Sequence, residues 1–177
     1  MRVFAGLPLP ADVTGEIAAW MRGWSPAALK TVEREHLHIT LHFFGEQSEE
    51  QVRKLVECVG AVTHPRVEAV LGGVGRFPPG GQPRVFYVSL ARGGEQVEAI
   101  HRLFEETIAR LGYAGERRPF RPHITCARVR RDRSPEPPPS FGRLAGWTFV
   151  LDRLVLFESR LTPRGPHYHP LQTALFD

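Results

Sequence analysis

The sequence predicts an α+β protein made of two similar units facing each other across a cleft. Three observations carry this. Short apolar runs with strand character alternate with segments whose apolar residues recur at helical spacing. A strand–helix–strand order occurs twice, about half a chain apart. Both copies reach the same tripeptide, His38-Ile39-Thr40 and His123-Ile124-Thr125, and both open on Arg-Val-Phe, at Arg2 and Arg84. The offset is 85 residues for the first pair and 82 for the second. Similar units commonly pair about a pseudo-twofold axis. We therefore expect residues 1–177 to form a single domain of two intertwined lobes, a size suited to one shared core.

Taken in order, residues 3–7 read as a strand that Pro8 and Pro10 end. Asp12 is the expected N-cap of a helix whose buried stripe is Val13, Ile17, Trp20, Met21 and Trp24. Residues 37–44 read as a strand closed by Gly45, and Ser48 with Gln51 forms a capping-box pattern ahead of Val52, Leu55, Val56 and Val59. Residues 67–74 read as a strand, Gly75 to Pro83 as a Gly/Pro-rich loop, and 84–90 as a strand. Val97, Ile100, Leu103, Phe104, Ile108 and Leu111 mark a helix that Gly112 stops. Residues 123–129 read as a strand. A mobile proline-rich loop is expected from Arg133 to Ser140, a short helical piece near 138–145, and strands at 147–157 and 171–176.

Composition narrows the class. The formal net charge is +4, and of 23 Lys and Arg residues only Lys30 and Lys54 are lysines. Arginine's planar fork suits bidentate contact with phosphate, although a genome-wide arginine bias has the same signature. Cys58 and Cys126 fit neither a metal-binding spacing nor a disulfide framework, so a reducing cytoplasmic setting is expected. The N-terminal apolar run is short and proline-broken, unlike a signal peptide, and no segment has the length of a membrane span.

The chemistry lies in the repeated tripeptide. On a strand, residues i and i+2 share a face, so His38 lies beside Thr40 and His123 beside Thr125. Two imidazoles facing one cleft can split the work of phosphodiester hydrolysis. One takes the proton of the attacking group and the other protonates the leaving oxygen. In-line displacement sets those two jobs on opposite sides of phosphorus, which two facing lobes provide. The threonine hydroxyls can bond the non-bridging oxygens, where charge builds. His-x-Thr alone is a weak signal; its weight comes from the identical tripeptide at the same place in a repeat.

These residues carry a resemblance. LHITLHFFGE and RPHITCAR resemble the two H-x-T-x motifs of the 2H phosphoesterase superfamily, nearest to its RNA 2′,3′-cyclic phosphodiesterase branch, formerly called 2′-5′ RNA ligases. The likeness extends to RVFAGLPLP, GVGRFPPGGQPRVFYVSL and LVLFESRLTPRGPHYHPL. It implies a bilobal fold with antiparallel sheets lining a central cleft and helices outside, and no cofactor. It also implies hydrolysis of a 2′,3′-cyclic phosphate at an RNA or nucleotide end to a 2′-phosphate. The protein is separately expected to be a monomer. By the same resemblance His38 is the proton donor to the 3′-oxygen and His123 the base that activates water. Cys126 departs from the pattern, which usually has an aliphatic residue there, but that position should point away from the cleft.

Around the motifs, Arg128 and Arg121 are candidate substrate contacts within a stretch, Arg117 to Arg133, that holds seven arginines and one acid, Asp132. Phe44 and Phe77 are candidates to stack on a base, though strand-end aromatics are more often core. Tyr168, in a G-x-x-Y pattern of the resembling family, is a further candidate; His64 and His101 are expected to be ordinary surface or helix residues. His36, His38 and His42 alternate in a way that hints at zinc, but no acidic or cysteine partner stands at a helpful spacing, so no metal is expected. Two other readings remain open: a phosphoesterase for a small non-RNA cyclic phosphate, and an RNA-binding module without catalysis. The hydrolytic pair could also run in reverse as a 2′-5′ ligase.

Overall fold

The computed structural model describes residues 1–177. The chain forms β1 (Arg2–Pro8), α1 (Ala11–Met21), β2 (Leu29–Thr31), β3 (His38–Glu46), α2 (Glu49–Gly60), β4 (Val67–Phe77), β5 (Val85–Arg92), α3 (Gly94–Ala109), β6 (His123–Val129), β7 (Thr148–Leu151), β8 (Arg153–Thr162) and β9 (Gly165–Leu175). All paired strands are antiparallel. They lie in the order β7-β4-β5-β6-β3-β1-β8-β9, with β2 added beside β6.

That order divides into two halves of four, β7-β4-β5-β6 and β3-β1-β8-β9, which meet where β6 touches β3. The junction is a single register pair, Ile39 opposite Ile124, and both isoleucines are fully buried. The two expected lobes are thus halves of one continuous sheet. A core of 30 buried residues runs through both, including Ile17, Leu55, Ile100, Phe104 and Leu154. α2 packs on β8 and β9, and α3 on β4 and β5. The capping box at Ser48 and Gln51 forms as the sequence implies.

The repeat is real but its first anchor is displaced. Gly6 faces Thr40 as Tyr87 faces Thr125, and Leu7 faces Ile39 as Val88 faces Ile124, an offset of 81 rather than 82. The matching Arg-Val-Phe tripeptides are one residue out of structural register. Because strand faces alternate, Phe4 and Phe86 end on different sides: Phe4 packs on His38, while Phe86 packs on Trp24.

Several boundaries differ from the sequence reading. Asp12 is not the N-cap of α1, which starts after Pro10; its carboxylate accepts from the Val13 N–H inside the first turn. β4 continues through Gly75 and Arg76 to Phe77, because these residues pair with β5. Residues 147–157 split at Asp152 into β7 and the start of β8, and β9 begins at Gly165 as the return of a long hairpin. The segment expected to be mobile is tied down: the Trp20 indole N–H donates to the Pro139 carbonyl at 3.2 Å and that of Trp24 to the Glu136 carbonyl at 3.5 Å. Proline removes competing backbone donors there and leaves the carbonyls for the indoles.

The sheet halves should share one cooperative unfolding transition through the Ile39–Ile124 joint. We expect Ile124→Ala to lower the unfolding free energy by about 2–5 kcal/mol, read from urea denaturation, with a single transition. Two separated transitions would show that the joint does not couple the halves.

Candidate active site

The pairing of Ile39 with Ile124 sets the site. Two buried isoleucines turn inward, so alternation turns His38, Thr40, His123 and Thr125 to the opposite face. All four line one cleft of about 390 Å³, the size of a small-ligand pocket.

Each imidazole is held in the same way. The Nδ1–H of His38 donates to the His36 carbonyl at 2.6 Å, and that of His123 to the Arg121 carbonyl at 2.7 Å. Both acceptors lie two residues upstream of the ring they hold. A proton fixed on Nδ1 leaves Nε2 of the neutral ring as an acceptor, the form that can take a proton from a reactant. Thr40 donates its hydroxyl to Nε2 of His38 at 2.8 Å in that state.

Aromatic rings wall both histidines. Phe4 and Tyr168 lie 5.0 and 5.7 Å from His38, and Phe77 and Tyr87 lie 5.1 and 5.4 Å from His123, measured between ring centroids. Two glycines make this packing possible. A Cβ on Gly6 would come within 3.0 Å of the His38 ring and 2.9 Å of the Ile39 carbonyl. A Cβ on Gly75 would fall 2.3 Å from the Tyr87 ring.

Burial disfavours charge on His38. Desolvation lowers the pKa of His38 to about 4, outweighing the opposing bond to the His36 carbonyl; the charges of His36, His123 and Arg128 push it the same way. The ring edge reaches the cleft surface, but its surroundings are dense and largely apolar. His38 is therefore neutral in the free protein at pH 7.

Matching bulges shape both motif strands. Opposite β1, the register skips Leu41; opposite β5, it skips Cys126, 85 residues on. Leu41 and Cys126 are buried, and burial pushes the Cys126 thiol up to about 12. Beyond the bulge the alternation shifts by one, so Phe43 and Arg128 line the cleft at equivalent positions. Phe43 is 60% exposed.

This corrects two expectations. Phe44 does not line the cleft; it packs among His42, Phe104 and Tyr113, because the bulge turns it inward. The Arg121 side chain is not among the lining residues either, and its part is the carbonyl that holds His123. Arg128, Tyr168 and Phe77 do line the cleft. His101 is more than an ordinary helix residue: it stacks flat on Phe120 with centroids 3.9 Å apart, also at the cleft wall. His36, His38 and His42 do not converge, and no group of three metal-ligating side chains forms anywhere in the chain; His42 instead donates to Glu105 at 2.6 Å. Phe4, Tyr87, Gly6 and Gly75 escaped sequence reasoning because their role is contact across strands, which no local pattern encodes.

Fold and site together define a two-histidine phosphoesterase architecture. The sequence model of the 2′-5′ RNA ligase superfamily matches residues 10–162, and the chain belongs to that superfamily. Among its relatives, the RNA 2′,3′-cyclic phosphodiesterase of Archaeoglobus fulgidus is 31% identical, over 97% of this chain and 98% of its own. That of Aeropyrum pernix is 33% identical, over 81% of this chain and 84% of its own. A crystal structure of a Thermus thermophilus protein superposes with a TM-score of 0.86 at 29% identity, covering 99% of this chain and 97% of that one. Escherichia coli LigT complexed with 3′-AMP does so at 0.82 and 26%, covering 99% and 97%.

The His38 environment has a direct readout. In an NMR titration of the free protein, the His38 ring should keep its neutral Nδ1–H form down to a midpoint near pH 4. Because the folded protein resists this protonation more than the unfolded chain, stability should fall as pH drops from about 6.5 towards that midpoint. A His38 midpoint at or above the ordinary histidine value would contradict the desolvated setting.

Proposed function

We propose that this protein is an RNA 2′,3′-cyclic phosphodiesterase, hydrolysing a terminal 2′,3′-cyclic phosphate to a 2′-phosphate. One observation carries the reading: two imidazoles, each locked by a carbonyl two residues upstream, line one cleft from equivalent positions. A binding module has no use for paired, tautomer-fixed histidines. The names of the relatives point to the same chemistry.

In this mechanism water attacks phosphorus from the side opposite O3′. Nε2 of His123 takes the water proton as the new P–O bond forms. The P–O3′ bond breaks, and Nε2 of His38 donates its proton to O3′. Thr40 and Thr125 bond the non-bridging oxygens, and Arg128 faces the negative charge that gathers there. His38 must be protonated for this role although the free ring is neutral. An anionic phosphate in the cleft supplies the opposite charge that raises its proton affinity. Phe43 takes the place first assigned to Phe44, as an exposed ring for a base to stack on. The residues need no metal or cofactor for these steps. The protein is proposed to work as one domain, a monomer in the cytoplasm, where its two thiols stay free.

Short RNA ending in a 2′,3′-cyclic phosphate, incubated with and without EDTA, should yield a 2′-phosphate at equal rates. His38→Ala and His123→Ala should each lower kcat by roughly 10²–10⁴-fold. Near-normal turnover in either variant would sink the two-histidine mechanism, and loss of activity with EDTA would require a metal. Binding of a nucleoside 2′-phosphate near pH 7 should take up a proton, measured by calorimetry in buffers of different ionisation enthalpy. Absence of uptake would remove His38 as the donor.

A further inference from the structure

β4 and β5 meet through two bulges that cancel. β5 has one residue too many, Ala91, between the pairs Val70–Arg92 and Leu71–Leu90. β4 then has one too many between Leu71–Leu90 and Val74–Val88, where Gly72 and Gly73 meet Ser89 alone. A bulge leaves its extra residue without strand partners. Here one hydroxyl serves both of its backbone groups. Ser89 Oγ accepts from the Gly73 N–H at 3.0 Å and donates to the Gly73 carbonyl at 3.1 Å. Gly72 makes room for it, since a Cβ there would come within 2.6 Å of Oγ.

The second bulge restores the register that walls His123. With it, Gly75 stands opposite Tyr87 and Phe77 opposite Val85. Without it β4 would lag by one residue and set Val74 opposite Tyr87. The Tyr87 ring lies so close over Gly75 that a side chain has no place beneath it. Phe77 stacks on Tyr87 with centroids 4.4 Å apart, and both rings meet His123 edge to face. On its other side Ser89 is paired directly with His123. The equivalent position in the other half is Pro8, opposite His38, which has no hydroxyl.

We propose that Ser89 is a positioning residue for the hydrolysis. It is not among the residues that line the cleft. Its hydroxyl holds β4 in the register that sets Tyr87 and Phe77 against His123, and it acts on that histidine alone. The catalytic consequence rests on the proposed function, in which His123 is the base; the hold on the ring rests on the fold.

The test is Ser89→Ala, compared with the intact protein by NMR and by turnover of a short RNA ending in a 2′,3′-cyclic phosphate. The Gly73 amide should exchange faster once its acceptor is gone. The ring protons of His123 should shift, because they lie beside the ring currents of Phe77 and Tyr87, while those of His38 stay in place. kcat should fall by roughly 10- to 100-fold, the scale set by a small displacement of a reacting group. Ser89→Thr keeps the hydroxyl and should restore all three readouts. Unchanged His123 signals and kcat beside a faster Gly73 amide would overturn the positioning role. So would His38 signals that move equally, a threonine variant as slow as the alanine one, or an alanine variant that fails to fold, which would make the hydroxyl a general structural need. Absence of turnover in the intact protein would overturn the hydrolytic reading instead, and the His123 signals would still decide whether Ser89 holds its wall.

Discussion

One cross-strand pair, Ile39 opposite Ile124, governs the rest of the molecule. It is where the two sheet halves touch, and burial of the two isoleucines fixes its register. The side-chain period of a strand is two, so whatever buries the isoleucines presents the histidines and threonines. A slip of one residue would put imidazoles into an apolar core and isoleucines into the cleft. The hydrophobic effect thus positions the two histidines and two threonines, although none of the four drives it.

Around that joint the structure uses repetition and departs from it in turn. Both rings are fixed through Nδ1 by a carbonyl two residues upstream, and both strands bulge at the same relative place. What fills the equivalent positions differs: Phe43 on one side and Arg128 on the other, with β2 beside Arg128 only. In the proposed hydrolysis these departures are what distinguishes the two sides of the phosphate, which a twofold centre alone could not do. His38 is desolvated in surroundings that include Phe4 and Tyr168.

The sequence disclosed the local and the repeated. The helices, the capping box at Ser48 and the two His-Ile-Thr strands could be found because period, cap chemistry and repetition are written along the chain. Phe44 went astray because a bulge is set by the partner strand, and simple alternation carries past it. The Arg-Val-Phe match misled by one residue because chemical likeness was taken for equivalence of register. Gly6 and Gly75 could not be singled out among 17 glycines, since what each accommodates lies on a neighbouring strand. Residues 134–140 have the composition of a loose loop, and only the distant Trp20 and Trp24 hold them.

The order of strands in the sheet also bears on how the molecule is made. One half, β4 to β7, comes from an unbroken stretch, residues 67–151, whereas the other joins β1 and β3 from the start of the chain to β8 and β9 from its end. During synthesis the first half can close while the second still lacks two strands. The wall behind His38 waits for Tyr168 on β9, the last strand of the sheet in chain order. A nascent chain therefore carries both His-Ile-Thr strands well before the hairpin that completes the cleft wall.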